Sequence, residues 1–78
     1  VELNPDDIEN YLNLGIAFGK MGKTDKAVDV LLRAREMDPG NANVLMAIGV
    51  SYQNTGDAVR AREYFEKAFV VNPSLRKQ

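Results

Sequence analysis

The sequence predicts an all-α protein made of two tandem, antiparallel helix-turn-helix hairpins. Three observations predict it: a 34-residue period, apolar residues that recur at helical spacing, and glycines and prolines that punctuate both units at the same places. The period is plainest in Pro5, Pro39 and Pro73, each 34 residues from the next. Gly15 and Gly49, Gly22 and Gly56, Ala27 and Ala61, and Ala34 and Ala68 keep the same offset. So do the apolar pairs Leu14 and Ile48, Phe18 and Tyr52, and Leu31 and Phe65. No stretch sustains a period of two, so no strand is expected.

Each helix follows from its own residues. Tyr11, Leu14 and Phe18 share one helical face and place the first helix near 7–20, with Asp6 or Asp7 as its N-cap. Gly22 ends it, since glycine takes the left-handed C-terminal conformation at little cost. Ala27, Val28, Leu31 and Ala34 define the second helix near 24–37, with Thr24 as the expected cap. Pro39 stops that helix, because proline lacks the amide donor and clashes with the preceding turn. Asn41 caps the third helix near 42–54, carried by Leu45, Ile48 and Tyr52 and closed by Gly56. Asp57 caps the fourth near 58–71, carried by Ala61, Phe65 and Ala68 and stopped by Pro73. Gly15 and Gly49 fall mid-helix, where glycine costs about 1 kcal/mol relative to alanine. Their recurrence predicts close approach of the partner helix, with Ala27 and Ala61 as the small residues pressed against them.

Composition narrows the function classes. The 78 residues are 45% hydrophobic and 27% charged, without long single-charge tracts, which describes a folded rather than a disordered chain. Ten Lys and Arg are interspersed with eleven Asp and Glu, for a net charge of -1. That balance lacks the basic face that phosphate binding needs, so no nucleic-acid partner is expected. No Cys or His is present, which removes a zinc site and the commonest catalytic base and nucleophile. Ser51 has no base near it in sequence, and Asp6 and Asp7 are adjacent, so capping suits them better than acid–base work. Gly19–Gly22 lacks the spacing of a phosphate loop. Neither an enzyme nor a cofactor is expected. No apolar run approaches the ~20 residues of a membrane span, so no membrane partner is expected either. The compartment stays open, with a soluble, cytoplasmic setting favoured.

Together these residues resemble the tetratricopeptide repeat family, whose 34-residue unit reads W-x2-L-G-x2-Y, A-x3-F and a late Pro. The first unit supplies Tyr11, Leu14, Gly15, Phe18, Ala27, Leu31, Ala34 and Pro39. The second supplies Leu45, Ile48, Gly49, Tyr52, Ala61, Phe65, Ala68 and Pro73. Tyr11 and Leu45 stand in for the large aromatic residue, and Leu31 for the phenylalanine. The resemblance covers essentially the whole chain. It divides the chain into the tail of a preceding repeat at 1–7, repeats at 8–41 and 42–75, and the start of another at 76–78. It implies that the hairpins stack as an α-solenoid, a fragment of a right-handed superhelix, and it implies an interaction scaffold.

The resemblance also implies a concave groove lined by the first helix of each hairpin. The family's groove positions map onto Glu9, Leu12, Asn13, Ile16, Gly19 and Lys20, and onto Asn43, Met46, Ala47, Val50, Gln53 and Asn54. One subgroup of the family grips a C-terminal carboxylate with Lys and Asn side chains. Leu12, Ile16 and Ala47 occupy those positions here, so that clamp is not expected, although Lys77 falls where a later clamp Lys would stand. Leu12, Ile16, Met46 and Val50 form an apolar stripe instead, suited to a helix or extended segment with apolar anchors. Leu12 and Met46 serve ligand contact and packing between helices about equally well, whereas Ile16 and Val50 lean toward packing. Glu9, Asn13, Lys20, Asn43, Gln53 and Asn54 make a polar rim able to hydrogen-bond a ligand backbone.

Both ends read as cut from a longer array, which in this family usually needs about three repeats and polar caps. Tyr64, Phe69, Val70 and Val71 are therefore expected to be exposed on the last hairpin, with end-to-end stacking, dimerisation or marginal stability as the consequence. The leading expectation is a scaffold that binds a protein or peptide through the groove. The alternative is a structural module that self-associates through its ends. An RNA-binding repeat of the pentatricopeptide kind is disfavoured by its longer unit and by the acidic balance.

Overall fold

The computed structural model describes residues 8–77, with side chains described as far as Leu75. Four helices succeed one another: α1 (Ile8–Lys20), α2 (Thr24–Met37), α3 (Ala42–Thr55) and α4 (Ala58–Val71), with a 3-10 turn at Pro73–Lys77. No strand occurs among the described residues. The first hairpin pairs α1 with α2 and the second pairs α3 with α4, while α3 also lies against α2 and α1. Residues 1–7, and with them the proposed tail and the Asp6 or Asp7 cap, lie outside the described residues, as does Gln78.

The turns form by one mechanism. Gly22 (φ 78°) and Gly56 (φ 86°) are left-handed. After α1, the Lys23 amide donates to the Phe18 carbonyl at 2.9 Å and the Gly22 amide to Gly19 at 3.1 Å. After α3, the Asp57 amide donates to Tyr52 at 3.0 Å and the Gly56 amide to Gln53 at 3.1 Å. This paired pattern satisfies carbonyls that a helix end would otherwise leave without donors.

The caps differ more than the sequence suggested. Asn41 accepts from the Val44 amide at 3.2 Å, and Asp57 from the Arg60 amide at 3.1 Å, as expected. Thr24 is not a cap: it is the first residue of α2, and Lys23 holds the N-cap position without a side-chain hydrogen bond. The six-residue closure through Gly22 ends on Lys23, so Lys23 takes the cap position and Thr24 is already inside the helix.

The core runs through Ala27, Leu31, Ala34, Val44, Leu45, Ile48, Ala61, Tyr64 and Ala68. Ser51 is also buried and donates its hydroxyl to the Ala47 carbonyl at 3.0 Å, so it is a satisfied helix residue. The two mid-helix glycines are sites of close approach, and the nearest atoms belong to large side chains. A Cβ on Gly15 would stand 2.5 Å from Leu31 Cγ, and one on Gly49 would stand 2.6 Å from the Phe65 ring. The glycine makes room for the large residue one turn beyond each alanine.

The exposed end of the second hairpin also differs in part from expectation. Val70 and Val71 are exposed and Phe69 is half-buried. Tyr64 is buried: its ring lies 5.7 Å from that of Tyr52, and its hydroxyl accepts from Arg35 at 3.3 Å. An aromatic residue on the inner edge of α4 finds partners on α2 and α3 and needs no further helix to cover it.

Candidate functional site

A cleft of about 570 Å³ lies between α1 and α3, the first helices of the two hairpins. Helical periodicity builds its walls. Leu12, Ile16, Gly19 and Lys20 line it from α1, and Asn43, Met46, Ala47, Val50 and Asn54 from α3. Residues three, four and seven apart share a helix face, and these spacings recur along both walls. The walls are overwhelmingly apolar, while Lys20, Asn43 and Asn54 supply the polar groups at the edges.

Three sequence-assigned groove residues fall outside this cleft. Asn13 is one residue past Leu12, about 100° around the helix. Glu9 is exposed in the first turn of α1, beyond the end of the cleft. Gln53 instead lines a shallower cleft of about 320 Å³ with Ala61, Arg62, Phe65, Glu66 and Phe69 of α4.

The apolar stripe divides by exposure. Ile16 and Val50, which leaned toward packing, are 43% and 45% exposed. Leu12 and Met46 are half-buried and pack against the core. Leu12 and Met46 thus form the lower walls, and Ile16 and Val50 the more exposed upper edges. The floor comes from Gly15, Leu31 and Ser51, none of which was assigned to the groove from sequence. The signal for it was present in Gly15, since a residue without a side chain lets Leu31 pack up to the base of the cleft.

The arrangement is a largely apolar recess with hydrogen-bonding groups at its edges. Among the described residues there is no cluster of acidic, His or Cys side chains able to hold a metal, and no helix long and apolar enough to cross a membrane. The Lys77 side chain lies outside the described ones.

A family model described as tetratricopeptide repeat matches residues 8–41 and again residues 42–74. Peroxisome biogenesis protein 5 of Arabidopsis thaliana is 34% identical over 61 residues, covering 78% of this chain and 8% of that protein. PEX5-related protein of Homo sapiens is 33% identical over 73 residues, covering 94% of this chain and 12% of that protein. The chain therefore spans only a small part of the curated relatives it matches. In three dimensions the crystal structure of MamA is similar with a TM-score of 0.79 at 28% identity, covering 91% of this chain and 42% of that one.

Proposed function

Because the chain belongs to the tetratricopeptide repeat family, whose repeats serve as protein–protein interaction scaffolds, we propose that its α1–α3 cleft is the binding surface and that it takes an apolar side chain of a peptide or helix. The observation that carries this reading is the cleft itself, with Leu12 and Met46 as walls, Ile16 and Val50 exposed at its edges, and Leu31 at its floor. Lys20, Asn43 and Asn54 line the same cleft and supply donors and acceptors for a segment's backbone. The reading assigns no catalysis and no cofactor.

Self-association is the second reading. Its support is the outward face of α4, where Phe65 and Phe69 remain half-buried beside a shallow cleft. Its weakness is chemical. At the places where repeat 1 has Val28 and Leu32, α4 carries the exposed charges of Arg62 and Glu66.

A displayed library of amphipathic helical peptides separates the two. Selection on this chain should enrich peptides with bulky apolar residues at helical spacing. Leu12→Lys and Met46→Lys should each weaken the selected peptides by about tenfold or more, as truncating a central apolar anchor does, with an unchanged sedimentation profile. Equal binding to both variants would overturn the groove reading. Loss of a concentration-dependent oligomer in the same variants would establish the second reading in its place.

A further inference from the structure

A second recess lies away from the α1–α3 cleft, where the ends of α2 and α4 meet the start of α3. It encloses about 320 Å³ between Arg35, Pro39, Leu45, Lys67, Val70 and Val71. Its chemistry is unlike that of the first. Two cations flank an apolar patch, and both are held by one buried ring. The Arg35 guanidinium lies 5.7 Å from the Tyr64 centroid, and Lys67 Nζ 4.9 Å from it. Neither cation takes part in the ion pairs Arg33–Asp29 and Arg60–Asp57. Arg35 spends one hydrogen bond on the Tyr64 hydroxyl, which leaves most of its five donors for a ligand.

The recess is built from residues of the two hairpins themselves, and Val70 within it stands at a place that a further stacked hairpin would leave exposed. Val70 is 80% exposed and takes the place that Glu36 holds in repeat 1. Glu36 is exposed even though the second hairpin stacks on its repeat. A third hairpin stacked in the same way would leave Val70 exposed too. In repeat 1 the corresponding place is chemically different: Val30 stands for Tyr64, and Arg33, in the place of Lys67, is paired with Asp29 at 3.6 Å.

Two cations beside exposed valines fit one kind of occupant. A carboxylate would pair with Arg35 and Lys67, and an apolar side chain next to it would cover Leu45, Val70 and Val71. We propose that this recess binds an acidic peptide segment whose carboxylate neighbours an apolar residue, at a site separate from the α1–α3 cleft.

The test is an NMR titration of the isotope-labelled chain with an N-acetylated, C-amidated peptide of alternating glutamate and leucine. The expected result is saturable movement of the Leu45, Val70 and Val71 methyl signals and of the Arg35 side chain. Lys67→Gln, at an exposed position, and Arg35→Gln should each raise the apparent Kd about tenfold, as loss of one partner in a charge-assisted contact does. Replacing every glutamate of the peptide by glutamine should do the same. Shifts confined to Leu12, Ile16, Met46 and Val50 would overturn the proposal, because the peptide would then occupy the first cleft. So would an affinity unchanged by both variants or by the glutamine peptide. Inorganic phosphate that moved the same signals at lower concentration than the peptide would also overturn it, in favour of a phosphorylated ligand.

Discussion

The two hairpins share a backbone plan and differ in what their side chains prepare for. Both first helices end on a left-handed glycine with the same paired hydrogen bonds, and both second helices stop before a proline. In the first hairpin, α2 keeps Val28 and Leu32 half-buried, Leu31 is 1% exposed, and α3 lies across it. In the second, the equivalent positions of α4 hold Arg62, Phe65 and Glu66, with only Phe65 half-buried. The repeating positions encode the hairpin. The positions between them differ in chemistry: α2 has apolar Val28 and Leu32 where α4 has the charged Arg62 and Glu66.

The core positions give the largest test of that contrast. Leu31 packs under Gly15 and belongs to the same buried cluster as Val44 and Ile48, so it ties both hairpins together. Leu31→Ala should cost about 2–5 kcal/mol, in the range of buried leucine truncations. A core of this size supplies only about 3–5 kcal/mol in all, so the variant should be largely unfolded by circular dichroism at 25 °C. Phe65→Ala removes a larger side chain from the matching position but a half-buried one, and should leave a cooperative thermal transition. If Phe65→Ala proved the more damaging, the first hairpin would not be the one that anchors the fold.

Most of the fold was legible in the sequence, because a 34-residue period repeats the same physical demands twice. The Asn41 and Asp57 caps, the left-handed glycines and the proline stops each have a local cause that a single sequence displays. The missed features depend on contacts between helices. Thr24 had a capping side chain, but the hydrogen bonds that close around Gly22 decided where α2 begins. Tyr64 resembled an exposed aromatic because its partners, Arg35 and Tyr52, are 29 and 12 residues away. The cleft was legible in its walls but not in its floor or its limits. Periodicity places Leu12 and Met46 on the right faces, whereas whether Gln53 turns toward α1 or α4 depends on how the helices cross.

The glycines give the next largest effect. Alanine at either position should gain about 1 kcal/mol of helix propensity and lose about 1–3 kcal/mol to overpacking. At Gly15 the clash is with Leu31 Cγ and both δ carbons of a fully buried side chain that belongs to the core cluster shared by both hairpins. Gly15→Ala should therefore lower the thermal midpoint clearly. At Gly49 the clash is with the edge of the half-buried Phe65 ring, which can swing toward solvent, so the loss should be smaller. Phe65→Leu added to Gly49→Ala should recover part of it, and a double-mutant cycle would show the coupling. Strictly additive effects would mean that the ring is not what the glycine accommodates.

The smallest effect isolates one side chain on a shared backbone. Lys23 and Asp57 precede their helices with almost the same conformation, φ -93° and ψ 64° against φ -87° and ψ 78°. Asp57 accepts from the Arg60 amide, while Lys23 makes no side-chain cap and brings a positive charge to the positive end of the helix dipole. The backbone already suits an aspartate, so Lys23→Asp should stabilise the chain by about 1 kcal/mol, and Asp57→Ala should cost about the same. Both changes are read as shifts of the urea midpoint at an unchanged slope. A symmetrical gain and loss would show that the two turns are interchangeable and that repeat 1 simply lacks its cap. A gain at Lys23 much below the loss at Asp57 would place the difference in the aspartate's pairing with the Arg60 guanidinium, 3.6 Å away, for which repeat 1 has only Lys26 at the matching position.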